Sequence, residues 1–131
     1  MAFEWSQFVE LAEKLIGYGE GTGLESAYYR SAVSRSYYGV FCIARDKVEE
    51  ILGYSVPPRD SHRFVIYKFT YSSTNITRKI GKDLDSLHKK RQKADYTNPE
   101  DIDITQAQKA LEIAKRTLKN YEDTNLKIDA R

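Results

Sequence analysis

Apolar positions fall into five stretches of helical spacing, each separated from the next by glycine, proline or small polar residues. Trp5, Phe8, Ala12, Leu15 and Ile16 recur every three or four residues and predict a first helix, which Gly17, Gly19, Gly21 and Gly23 then break into a flexible connector. From Leu24 to Leu52 there is no proline and only Gly39 among glycines, so a second helix of about 28 residues, roughly 40 Å long, is expected. Ala27, Ser31, Ser34, Tyr38, Phe41, Arg45, Val48 and Leu52 form one seam along it, and Tyr29, Val33, Ser36, Val40 and Ile43 form a second beside the first. The combined surface is wider than one core-facing stripe. This helix should therefore be central, or shared between the bundle and a partner subunit, with small residues at 27, 31 and 34 admitting a second helix closely.

Gly53 ends that helix, and Pro57 and Pro58 place 54–60 in a loop. The segment 62–71 has the β-branched and aromatic content of a strand, but no second strand is in view to pair with it, so it reads as a short helix capped by Asp60 or Ser61. Ile76, Ile80, Leu84, Leu87, Arg91 and Ala94 share a fourth face, interrupted at Asn98-Pro99. Ile104, Ala107, Leu111, Ala114, Leu118 and Tyr121 make a last amphipathic helix, capped by Asp103 or Thr105. The pattern predicts an all-α fold, an antiparallel up-and-down bundle of four long helices plus one short helix. It forms one domain over 1–125 with a frayed tail over 126–131.

Composition narrows the function classes. The chain has 131 residues, with 21 Lys plus Arg against 19 Asp plus Glu, so contact with nucleic acid must come from a local patch and not from global charge. Apolar runs fall far short of the roughly 20 residues that span a bilayer, and Met1-Ala2-Phe3-Glu4 does not begin an export signal. No membrane partner is expected, and the setting should be cytoplasmic. Cys42 with His62 and His88 makes a poor zinc set, so neither a metal nor a cofactor is expected. The Gly17–Gly23 stretch lacks the preceding strand and the Lys-Ser or Lys-Thr of a phosphate loop.

The fourth helix carries the candidate chemistry. Arg91 lies on the seam of Leu84 and Leu87, where a solvated charge is out of place, and its guanidinium suits phosphate oxygens. A plainer reading is an i to i+4 ion pair with Asp95. Lys89, Lys90, Arg91, Gln92 and Lys93 offer a backbone-binding patch for RNA, or merely complement the negative end of the helix dipole. His88 precedes Arg91 by one turn and is the best acid or base by pKa, whereas Asp95 is a weak base. Arg35 pairs across the bundle or faces a dimer cleft. Tyr37 and Tyr38 read as core or interface side chains, and His62 as a first-turn packing residue.

Three segments resemble the HEPN superfamily of small helical domains, and within it the stand-alone UPF0332-like branch: Ser34-Arg-Ser-Tyr-Tyr-Gly-Val-Phe41, Ser61-His62 and Arg91-Gln-Lys-Ala-Asp-Tyr96. The resemblance implies a homodimer that brings two copies of a polar motif to a shared cleft. It also implies metal-independent ribonuclease activity in many members, and pairing with a minimal nucleotidyltransferase as toxin and antitoxin. The nuclease motif of active members is an Arg, a polar neighbour, and a His little more than one helical turn beyond the Arg. Arg91 and Gln92 match its first two positions, but Asp95, Tyr96 and Thr97 stand where the His belongs.

Two functional expectations follow. One is a toxin-like endoribonuclease using Arg91 with Asp95 or His88. The other is a non-catalytic dimeric module that binds RNA, a nucleotide or the nucleotidyltransferase through Arg91, Gln92, Lys89, Lys90, Lys93, Arg35 and Tyr38. Tyr96 corresponds to the tyrosine that such a partner modifies with AMP.

Overall fold

The computed structural model describes residues 3–97 and 101–129, and every regular element among them is helical. Helix α1 is Gln7–Gly19, α2 Glu25–Leu52, α3 Ser61–Thr70, α4 Asn75–Gln92 and α5 Ile104–Asn120; a π-turn over Lys93–Thr97 follows α4 directly. The ambiguous third of these apolar patterns, 62–71, therefore resolves as helix α3. The helical seam of Ile76 to Ala94 tightens into α4 and then widens, so the break comes at Lys93, ahead of Asn98-Pro99, which lies outside the described residues. No helix among the described residues is long and apolar enough to cross a membrane.

Local chemistry accounts for the element ends. Helix α1 continues through Gly17 and Gly19, two residues past the expected break, and the chain turns at Gly21 and Gly23, both at positive φ. Gly53 closes α2 in the left-handed conformation and gives its N–H to Glu49 at 2.8 Å. Asp60 precedes α3, but its side chain caps nothing and its φ is 59°. Asp103 caps α5 through a reciprocal box with Gln106.

Helix α2 is the centre of the packing and touches each of the other four helices. Its second seam is the buried one: Tyr29, Val33, Ser36 and Val40 are all buried, in the same core as Leu84 and Leu87 of α4 and Ala110 and Ala114 of α5. The first seam divides. Phe41 and Val48 are buried, Ser34 and Tyr38 meet Asp95 and Phe8, and Ala27 and Ser31 are exposed. Tyr121 reaches back across the core to donate its hydroxyl to the Val40 carbonyl at 2.6 Å.

Helices α3 and α4 run in opposite directions, with Thr70 beside Gly81 at one end and His62 beside His88 at the other. The closest approach is at Gly81, where a methyl group would lie 2.5 Å from the Thr70 nitrogen. On the opposite side of α4, Asp83 accepts a two-pronged pair from Arg116 of α5 at 2.9 and 3.1 Å. The C-terminal segment expected to fray is tied down over the part described. Ser72 donates to the Lys127 carbonyl at 2.5 Å, the Lys127 N–H donates to Thr77 at 2.9 Å, and Leu126 and Ile128 pack against the core.

Candidate functional site

The end of α4 holds two adjoining constellations, one built around Arg91 and one around a pair of stacked histidines. Arg91 donates from Nε to Asp95 Oδ2 at 3.1 Å, and its Nη2 lies 3.5 Å from the Tyr96 hydroxyl with the guanidinium over the Tyr96 ring. The π-turn explains how residues four and five positions along both reach it, because i to i+5 winding brings the fifth residue back over the first. Arg30 secures the widened turn by donating to the Ala94 carbonyl at 2.6 Å. Ser34 of α2 donates to the same Asp95 oxygen at 3.0 Å, joining α2 to the turn. The Arg91 and Asp95 side chains are 23% and 24% exposed, so the pair is held under partial cover and is not a loose surface contact. Tyr96 is 72% exposed.

Beside it, the ring of His62 from the first turn of α3 stacks on His88 of α4, centroids 5.0 Å apart and planes 20° apart. Phe41 lies against His62 at 4.3 Å, and the buried Tyr37 hydroxyl meets His62 Nδ1 at 2.7 Å. A hydroxyl donating to Nδ1 leaves the ring proton on Nε2. Burial, then the neighbouring His88 and Arg91, hold the His62 pKa down to about 4, and burial with Arg91 lowers that of His88. Burial raises that of Tyr37. Both shifts favour the neutral imidazoles and make them weaker bases, His62 the more so. Among the described residues, His88 Nδ1 is buried with no hydrogen-bond partner.

Helix rotation spreads the basic run around α4, since successive residues point about 100° apart, but Lys89, Gln92 and Lys93 still share a cavity of about 390 Å³ with Tyr96. Lys89 and Gln92 face α3, with Lys89 paired to Asp85 at 2.9 Å. Lys90 and Lys93 face α5, where they join Lys109 around a cavity of about 250 Å³ floored by Val33 and Ile102. Burial and then the two neighbouring lysines lower the Lys90 pKa. Arg91 alone of the run turns to Asp95 and α2. Arg35 and Tyr38 stand apart from all of these: the Arg35 guanidinium covers the Phe8 ring at 5.3 Å, and Tyr38 meets Trp5 and Phe8 edge-on.

Arg91, Asp95 and Tyr96 thus come together with Ser34, and beside them His88 comes together with His62 and Tyr37, while Lys109 joins only Lys90 and Lys93. His62 is the residue sequence reasoning set aside, and no local spacing connects it to His88 across the intervening loop. No protein-family model, curated protein or solved structure matches the chain.

Proposed function

We propose that this is a HEPN-type domain that binds RNA or a nucleotide at the end of α4. In this reading the helices are arranged up and down in antiparallel order, and the chain works in the cytoplasm as a homodimer whose two Arg91 residues share one cleft. The observation that carries the reading is Arg91, a guanidinium on an otherwise apolar seam, fixed by Asp95 and Tyr96 on a π-turn. Phosphate oxygens replace the Asp95 carboxylate with a stronger charge-assisted pair in the same fork geometry. The exposed Ala27 and Ser31 on α2 supply a small-residue face for the second copy. Light scattering at tens of micromolar protein should give twice the chain mass, and a monomer there removes the shared cleft.

A second reading, the metal-independent ribonuclease, is favoured by the stacked histidines. His88 takes the proton of a ribose 2′-hydroxyl as its oxygen bonds to phosphorus, the 5′-oxygen leaves with a proton from water, and Arg91 offsets charge on the phosphorane. Labelled RNA incubated with the protein and a chelator should yield cyclic-phosphate ends that vanish in both His88→Ala and Arg91→Ala. Intact RNA leaves the binding function alone standing. The exposed Tyr96 is open to transfer of AMP by a minimal nucleotidyltransferase partner, which would displace its hydroxyl from Arg91. Mass spectrometry of the co-expressed pair checks this.

A further inference from the structure

A cleft of about 700 Å³ runs between α3 and α4; it meets the sequence-read candidates only at His88, Lys89 and Gln92, and the rest of its lining was singled out by no sequence pattern. On the α4 wall its lining extends from Arg78 to Gln92, about 21 Å of helix. Gly81 packs tightly against Thr70 within this span, and the cleft lies along the outer side of the two helices.

Charge and aromatic surface are combined along this cleft. Arg63, Arg78, Lys82 and Lys89 line it, with Asp85 as the opposing carboxylate. Among the described residues neither Arg63 nor Lys82 makes an ion pair. Arg78 is held in place by donating to the Ser72 carbonyl at 2.9 Å and to the Asn75 side chain. On the α3 wall, Tyr67 and Tyr71 are one turn apart, 59% and 69% exposed, with ring centroids 4.6 Å apart. Two large rings left in solvent beside unpaired cations contribute little to the core of this chain. They fit a ligand that is both anionic and flat-faced.

We infer that the α3–α4 cleft is a binding site for single-stranded nucleic acid, with Tyr67 and Tyr71 stacking on bases and Arg63, Arg78 and Lys82 meeting the backbone phosphates. An acidic helix from a protein partner would use the cations but leaves the aromatic faces unexplained. A duplex hides its bases from the tyrosines. Stacking platforms next to a basic groove are the arrangement by which single strands are held without regard to sequence. The cleft reaches His88 and Gln92, so a bound strand is led toward the end of α4. The inference rests on the nucleic-acid reading above but depends on different residues.

The test is fluorescence anisotropy with the full chain and a labelled single-stranded oligouridylate of about ten nucleotides. An abasic ribose-phosphate strand of equal length, an RNA duplex and an acidic helical peptide serve as competitors. The base-bearing strand should bind about ten-fold more tightly than the abasic one. The double variant Tyr67→Ala with Tyr71→Ala should lose that preference with an unchanged circular dichroism spectrum, and phenylalanine at both positions should keep it. Equal binding of the two strands by the unaltered protein overturns the inference, as does a preference for the duplex or the peptide. If Arg91→Ala weakens binding while the tyrosine pair does not, the cleft is refuted and the Arg91 reading stands; the reverse upholds the cleft and removes Arg91 as the anchor. Absence of binding by any strand overturns both.

Discussion

Gly81→Ala sets two effects of opposite sign against each other and so tests how closely α3 packs on α4. In a solvent-facing helix interior the change is favourable by about 1 kcal/mol, because alanine has less backbone freedom to lose on folding. At Gly81 the added methyl would lie 2.5 Å from the Thr70 nitrogen, 2.6 Å from its hydroxyl and 2.7 Å from its Cα. Backbone cannot rotate out of the way as a side chain can, so α3 has to lift from α4, and with it the buried contacts of Val65, Phe69, Ile80 and Leu84. Overpacking of this kind costs about 1–3 kcal/mol and outweighs the helical gain. With three atoms of Thr70 within 2.7 Å of the methyl, the upper part of that range, about 2–3 kcal/mol, applies, so we expect a net loss of about 1–2 kcal/mol, read in urea by far-ultraviolet circular dichroism as a midpoint lower by about 1 M. Gly17→Ala is the matched control, since nothing lies within 4 Å of a methyl there, and it should raise stability by about 0.5–1 kcal/mol. A Gly81→Ala protein as stable as the parent would refute the close crossing and, with it, the shape of the cleft.

Other perturbations probe the site and its supports. His62 and His88 have pKa values lower in the folded chain than the unfolded value of about 6.5, so the unfolded state takes up protons first as pH falls. Their contribution is complete above pH 6.5 and is lost progressively toward about 4, the folded value for His62; solvent screening of this half-open ring limits the loss to about 1–2 kcal/mol. His62→Phe should be less stable at neutral pH but show a flatter profile between those limits, and an unchanged slope assigns the pH dependence elsewhere. Arg116→Met strands the buried Asp83 carboxylate and should cost about 1–3 kcal/mol in urea unfolding, whereas an effect near zero means the pair is not formed in solution. Asp103→Ala removes the capping box of α5 and should lower stability by about 1 kcal/mol, which a differential scan can read as a fall in Tm of a few degrees.

Helix identity was legible wherever apolar spacing was sustained, and even 62–71 followed from the lack of a second strand. The long central helix was readable to within a residue at each end because no proline and only Gly39 interrupt it. Which of its seams would be buried was not, since Ala27, Ser31 and Ser34 satisfy a helical template without the volume to fill a core. The Arg91–Asp95 pair was legible as a spacing of four, but Tyr96 joins it only through the π-turn, which no residue announces. Ser34 reaches Asp95, and His62 reaches His88, across separations set by how α2, α3 and α4 pack, so no local pattern could have joined them. The run from Lys89 to Lys93 shows the opposite failure. Adjacent in sequence, its residues are spread by helix rotation: Lys90 turns with Lys93 toward Lys109 and Arg91 turns to Asp95, while Lys89, Gln92 and Lys93 share a cavity with Tyr96.

The central claim is that Arg91 meets phosphate, and the salt dependence of strand binding addresses it most directly. Each phosphate neutralised on a single strand contributes about 0.7 to the slope of log affinity against log salt. If Arg91 makes such a contact, Arg91→Ala should weaken binding of a labelled single-stranded RNA about ten-fold and reduce that slope by about 0.7. A variant with the parent's affinity and slope would contradict the account.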